Sequence, residues 1–448
     1  MALPRNTLLL KLLAVAAVFF AALATFVLVN RGGPAPARVA YSGTDNPAAL
    51  AGASTDKRIQ AFQQLVRSHP KDSRGYGFLA DAYLQKVRET GDASFYTRAG
   101  AVLATALRLN PHDPTAVTEM GVLALARHDF RGGLGYGVEA HKLLPYVVQP
   151  LGVMVDAEVE LGRYAEAGRT LARMVDAQPN LSSYARVSYW RELHGDLPGA
   201  IRAMQLAVSA GGQAPENVAY VQTLLGNLYF MIGHDGAAMY AYRTALAHDP
   251  GYVPASAGIA GVDAAHARYG PAIRRYRDAV ERLPLPQYVV SLGETEQAAR
   301  HPHAARRDLA LVGAEEKLLQ ANGVNTDVDL ALYEANHGSP ARAVVLGRRA
   351  WAQAPSVRSA DALGWALTRA GHPVAGLRFA HRALALGSRD PNFLYHAGVS
   401  AQAAGRAAEA RAYLGESLAL NSRFSPLYAP RARRALRALG GQGSGVGG

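Results

Sequence analysis

A period of thirty-four residues runs through most of this 448-residue chain and limits its fold more than any other feature. The clearest unit spans Ala219 to Tyr252. Counting Ala219 as 1, it carries Leu225-Gly226, Tyr229, Gly233, Ala238, Tyr242, Ala245 and Pro250 at 7, 8, 11, 15, 20, 24, 27 and 32. In the next unit, from Val253, Ala260, Ala272, Tyr276, Ala279 and Pro284 occupy 8, 20, 24, 27 and 32. Further good copies open at Val324, Val357 and Pro391. Weaker ones begin near Ser73, Pro114, Val148, Leu181 and Pro286, and those at Ser73 and Pro286 are stretched. A period of this size marks stacked units that bury their apolar faces only against neighbours. Small residues at 8, 20 and 27 let helix backbones approach. Glycine at 15 supplies the positive φ that ends a first helix, and proline at 32 stops a second.

This pattern resembles the tetratricopeptide repeat (TPR). The resemblance implies an all-α fold, a right-handed α-solenoid of about ten helix-turn-helix repeats. Ahead of them, Asp56 to Pro70 reads as the second helix of a truncated repeat. After them, Pro426 to Leu439 reads as a polar-faced capping helix closing the open end. The expected organisation is an N-terminal anchor or signal sequence over 1–30 and a Pro/Gly-rich linker over 31–54. The solenoid follows over 55–439, with a disordered Gly-rich tail over 440–448.

The anchor is read from Leu12 to Val29, which holds no charge and only Thr25 as a polar residue. As a helix, Leu8 to Val29 covers roughly 30 Å of hydrocarbon. A transmembrane helix is therefore predicted. A cleaved signal peptide, ending at Ala22-Leu23-Ala24 or Ala35-Pro36-Ala37, is the competing reading. Arg5 and Lys11 precede the span while Arg31 and Arg38 follow it, so the charge bias is slight. The short head favours a solenoid outside the cytoplasm, with a cytoplasm-facing array as the alternative.

The chain has no cysteine, which removes disulfide frameworks, thiolate zinc sites and cysteine nucleophiles. The repeats leave no room for a separate catalytic domain. No Gly-Lys-Ser/Thr phosphate loop, His-Glu-x-x-His or Gly-x-Ser-x-Gly is present. Gly132-Gly133-Leu134-Gly135-Tyr136-Gly137 puts Gly133 and Gly137 at 20 and 24 of a repeat, where close helix packing explains them. His301-Pro302-His303 falls at an inter-helix turn and offers only part of a metal site. A non-enzyme is expected, with no cofactor, metal or catalytic residues.

In the TPR family, positions 2, 5, 9 and 12 of the first helices line the concave surface. Carried over, they nominate Arg74 and Asp81, Tyr189, Tyr220, Asn227 and Phe230, Arg358 and Trp365, and Tyr395 as partner-binding residues. Aromatic and arginine side chains are common interface anchors. The carboxylate clamp of chaperone-binding members is incomplete here, with Thr223 and Gly258 at two of its positions. Of the net charge of +12, residues 331–448 supply +10, fifteen arginines against five acids. An acidic protein or anionic headgroups would be drawn there, and nucleic acid is not expected. The resemblance and the anchor together imply a membrane-anchored scaffold binding proteins in its concave groove, in cell-envelope complex assembly. A small-molecule or carbohydrate ligand in the solenoid channel is the alternative.

Overall fold

The computed structural model describes Leu50, residues 53–211 and residues 215–441. The expected anchor over 1–30, nearly all of the linker and the tail beyond Gly441 lie outside the described residues. The chain divides into two units, Met1–Ala51 and Gly52–Gly448, and every described helix belongs to the second. No helix among the described residues is long and apolar enough to cross a membrane.

The helices follow the predicted period. After α1 (Thr55–Ser68) come α2 (Ser73–Thr90) with α3 (Ser94–Leu109), and α4 (Pro114–Ala126) with α5 (Phe130–Leu143). Next are α6 (Gln149–Glu160) with α7 (Tyr164–Ala177), α8 (Leu181–Leu193) with α9 (Leu197–Ala210), and α10 (Pro215–Met231) with α11 (Asp235–His248). The sixth pair is α12 (Val253–Ala265) with α13 (Tyr269–Arg282). The seventh repeat is irregular: α14 (Pro286–Ala298), a short α15 (Pro302–Leu309) and an extra α16 (Val312–Ala321). Regular pairing resumes with α17 (Asp327–His337) and α18 (Pro340–Gln353), α19 (Val357–Arg369) and α20 (Pro373–Ala383), and α21 (Pro391–Ala403) and α22 (Ala407–Leu420). The cap, α23 (Tyr428–Gly441), ends two residues past its predicted boundary.

First and second helices play different parts. In the ninth repeat α19 buries ten of its thirteen residues, whereas α18 before it buries four of fourteen. Most first helices are clad on both sides by neighbours and bury more of their length than second helices. Helix α8 is an exception, with three of thirteen residues buried against six of fourteen in α9. Second helices bury a single stripe and keep a charged face in water. The recurring spacing of small residues has a direct cause at Gly226, where a Cβ would sit 2.5 Å from the Tyr242 ring. That ring is buried between α10 and α12, and its hydroxyl donates to Asn227 Oδ1 at 2.8 Å.

Repeat position 15 is left-handed with or without glycine in eight of the ten repeats. Gly338, at that place after α17, has φ −124°. In the lengthened first repeat the left-handed residue is Gly91, four places later. Gly162, Gly195, Gly233, Gly371 and Gly405 have positive φ, and so do His128, Ala267 and Arg300, which hold the same place in their repeats. The tight turn between paired helices imposes this backbone, and the three non-glycine residues adopt it at an energetic cost.

The array also meets itself. Val357 N–H donates to the Tyr164 hydroxyl at 2.7 Å, across 193 residues. The His128 imidazole lies 2.6 Å from the Asn325 carbonyl, across 197, and Asn421 Nδ2 donates to the Phe230 carbonyl at 2.6 Å, across 191. Asn325 N–H donates to the Arg127 carbonyl at 2.9 Å. Turns of the first winding thus rest on inter-repeat loops of the second. Glycine serves twice at two of these rungs: a Cβ on Gly162 would collide with the Pro355 carbonyl, and one on Gly195 with the Gly387 carbonyl.

Candidate functional site

The inner layer of first helices carries the nominated residues, and its two ends differ. Around α4, α6, α8 and α10 a groove of about 780 Å³ stays open. Its floor is apolar, with Val122, Leu125, Val153 and Met174, and its polar rim includes Arg88, Asp156, Arg186 and Tyr220. Arg186 grips Asp156 with two hydrogen bonds, Nε to Oδ1 at 2.8 Å and Nη2 to Oδ2 at 2.6 Å. Such a bidentate pair fixes a guanidinium. Nη1 on its other edge donates to the Ser182 carbonyl at 3.2 Å and to the Ser182 hydroxyl. Tyr220 is 47% exposed beside it.

Two acids on these first helices have raised pKa values. Burial pushes the Glu119 carboxyl up to about 8, with the Asp81 charge adding to the effect and a hydrogen bond from Gln149 at 3.2 Å opposing it. Burial pushes Glu192 up to about 7, helped by Asp390 from the second winding. Burial likewise raises the Tyr189 hydroxyl, near Glu160 and Arg358. Tyr189 packs beside Val159, Leu193 and Val357, bridging the two windings.

The remaining nominated residues are engaged within the chain. Arg74 bonds Asp72 through Nε at 3.0 Å and Nη2 at 2.8 Å, and Asp81 pairs with Arg58 at 2.6 Å. Asn227 holds Tyr242, and Phe230 packs in the same cluster. Arg358 stands between Glu160 at 3.8 Å and Asp329 at 3.7 Å, one acid from each winding.

Trp365 and Tyr395 are 3% and 4% exposed. The reason is the cap. Tyr428 and Phe424 bring their rings to 5.5 and 5.9 Å from Tyr395, and Trp365 stacks on His396 at 4.3 Å. Trp365 Nε1 donates to Asn336 Oδ1 at 2.9 Å. Tyr428 reaches on to α14 and donates to Glu294 at 2.6 Å. The inner face of the last repeats is thus filled by the chain's own C-terminus. The sequence reading placed both aromatics on the inward face and missed what covers them. The signal was Phe424 and Tyr428, two large aromatics bracketing the start of an arginine-rich cap.

Among the described residues, no group of three His, Asp or Glu is placed to hold a metal ion. His301 precedes α15, and His303 accepts from Arg306 at 3.0 Å. Gly133 and Gly137 are packing contacts: a Cβ would lie 3.0 Å from Leu125 and 2.9 Å from Met154.

No protein-family model and no curated protein matches the chain. Among solved structures it is similar to the APC/C hetero-tetramer Cut9-Hcn1, at 14% identity and TM-score 0.32, over 88% of this chain and 94% of that one. It is similar to the P58(IPK) TPR domain at 14% identity and TM-score 0.28, over 89% and 97%. The MamA protein matches at 20% identity and TM-score 0.29, over 38% of this chain and 91% of that one. The fold class rests on the chain's own features. Ten helix pairs in succession, with small buried residues recurring at 8, 20 and 27 and a left-handed turn in nearly every repeat, define an all-α helical-repeat fold.

Proposed function

We propose that this chain is a non-enzymatic scaffold that binds a protein segment in the groove over α4, α6, α8 and α10. On this reading its first thirty residues hold it at a membrane, with the array outside the cytoplasm, where it serves assembly of a cell-envelope complex. Anchoring would raise the effective concentration of membrane-associated partners. The observation that carries the reading is the half-exposed Tyr220 beside the fixed Arg186–Asp156 pair, above an apolar floor. An aromatic anchor, an oriented guanidinium and a water-excluding floor are what a peptide segment needs from a groove. The arginine surplus of residues 331–448 supports an acidic partner or anionic headgroups nearby.

The test is a photo-crosslinking residue placed at 220 and, separately, at 240, where Tyr240 is exposed on a second helix. Capture of a partner from 220 but not from 240 is expected. Equal capture from both, or none from 220, rejects the groove. A reporter fused after Gly448 tests the orientation, and activity confined to a cytoplasmic format would reject it.

A further inference from the structure

The seventh repeat breaks the period, and the break opens a second cavity. Its second helix is interrupted between Leu309 and Val312, so α16 packs back against α14 instead of prolonging α15. A cavity of about 580 Å³ lies where the regular fill is lost. Val290, Val312, Leu319 and Leu332 line it from the second winding, and Tyr96 and Ala126 from the first. That volume suits a small molecule, and its lining is mostly apolar.

Glu316 stands in this wall at 3% exposure and makes no hydrogen bond or ion pair with any described residue. Its acidic neighbours all have arginines. Glu334 pairs with Arg342 at 3.1 Å, Asp327 with Arg349, and Asp329 with Arg358 at 3.7 Å. Arg342 is the cation that acts on Glu316, against the charges of Glu334, Asp329 and Asp327, and burial holds the carboxyl up at about 8. A buried carboxyl without a partner is costly, and the cost is relieved by a donor or cation that enters beside it. An anion would find no such relief, because Arg358, the one arginine in the lining, already lies between Glu160 and Asp329.

We propose that this cavity binds a small molecule with an apolar body and a terminal amine, the ammonium pairing with the Glu316 carboxylate. The irregular repeat is then the feature that builds the site. Regular repeats fill the same space with paired helices.

Calorimetric titration of the full-length protein with octylamine, octanol and octanoate tests this directly. Octylamine should bind about tenfold or more tighter than octanol, and octanoate weakest. Glu316→Gln should remove the preference for the amine and leave octanol binding in place. Val290→Trp, which fills the cavity, should abolish both, with circular dichroism confirming the fold of each variant. Equal binding of octylamine and octanoate overturns the proposal, as does an amine preference that survives Glu316→Gln. It is also overturned if no alkylamine from hexylamine to decylamine binds. Tighter binding of the peptide acetyl-Leu-Leu-Lys-amide than of octylamine would overturn the small-molecule assignment and make the cavity part of a protein-binding surface. None of these outcomes touches the groove at Tyr220, so the two readings fail separately.

Discussion

The inner face over α6 to α10 and the inner face over α17 to α21 are built on one register, yet they present opposite surfaces. In the first, Tyr220 stands half exposed above a groove. In the second, Trp365 and Tyr395 point the same way and are buried under Tyr428 and Phe424. Repeat position decides which way a side chain faces. What lies opposite decides whether it is free. At the end of a one-dimensional stack no further repeat is available to cover the last first helix, so the chain turns its own cap inward.

The most damaging way to break this contrast is Trp365→Ala. Loss of a buried, hydrogen-bonded indole should cost about 3–5 kcal/mol. Because neighbours carry the stability of a repeat array, the loss should fall on α19 to α23. Hydrogen exchange would show it as lost protection there, with α6 to α10 little changed. Uniform loss along the chain would contradict a locally plugged end.

Acidity separates the two faces next. Glu119, on α4, has its pKa raised from 4.5 to about 8. Between those values the folded state holds a proton that the unfolded state has lost. Its contribution is therefore fully present below about pH 4.5 and is lost as pH rises toward 8. Glu119→Gln should be worth about 3 kcal/mol more at pH 8 than at pH 5, read from urea midpoints. An equal effect at both pH values would refute the assignment.

Contacts between windings give a smaller and more selective handle. Gly162 and Gly371 occupy the same repeat position with φ of 70° and 84°. A Cβ on Gly371 meets nothing, whereas one on Gly162 collides with the Pro355 carbonyl. Gly371→Ala should cost about 1 kcal/mol for backbone strain alone. Gly162→Ala should cost about 1–2 kcal/mol beyond that, for the displaced second winding. Equal costs would mean that the windings do not support one another.

These pairs also mark where sequence reading stops. Most repeat starts, most turns at position 15 and the cap were legible because each depends on residues a few positions apart. Helix α10 opens four residues before Ala219, and α17 three after Val324. Small residues, a turn glycine and a terminal proline act locally. The contact of Gly162 with Pro355 was not legible, since it depends on how many repeats complete one winding. That number comes from small rotations between neighbours that no single residue encodes. The irregular seventh repeat was visible as a degenerate stretch. That it would enclose a cavity beside Glu316 was not, because Tyr96 and Ala126 arrive from the first winding. For the nominated site, availability was not readable: Trp365 and Tyr220 looked alike.

A single bond between windings should follow in size. Tyr164→Phe removes only the hydroxyl that accepts from Val357 N–H, and leaves a donor at the start of α19 without its partner. About 1 kcal/mol is expected, measured as earlier exchange of the Val357 amide. Unchanged protection of that amide would mean that the contact adds nothing to the fold.

The smallest effect on stability belongs to Tyr220, and that is why it is informative. Its ring is half in water and it closes no hydrogen bond among the described residues, so Tyr220→Ala should shift stability by no more than about 0.5 kcal/mol. A half-exposed aromatic beside an oriented arginine is a candidate for recognition, where such anchors are worth about 2 kcal/mol or more when truncated. Partner capture by Tyr220→Ala should therefore fall sharply while the melting temperature stays put. Trp365→Ala should do the reverse, weakening α19 to α23 while the groove over α4 to α10 goes on binding. If Tyr220→Ala instead lowers stability and leaves capture intact, the open face is another packed one whose cover has been overlooked, and the difference between the two ends of the array disappears.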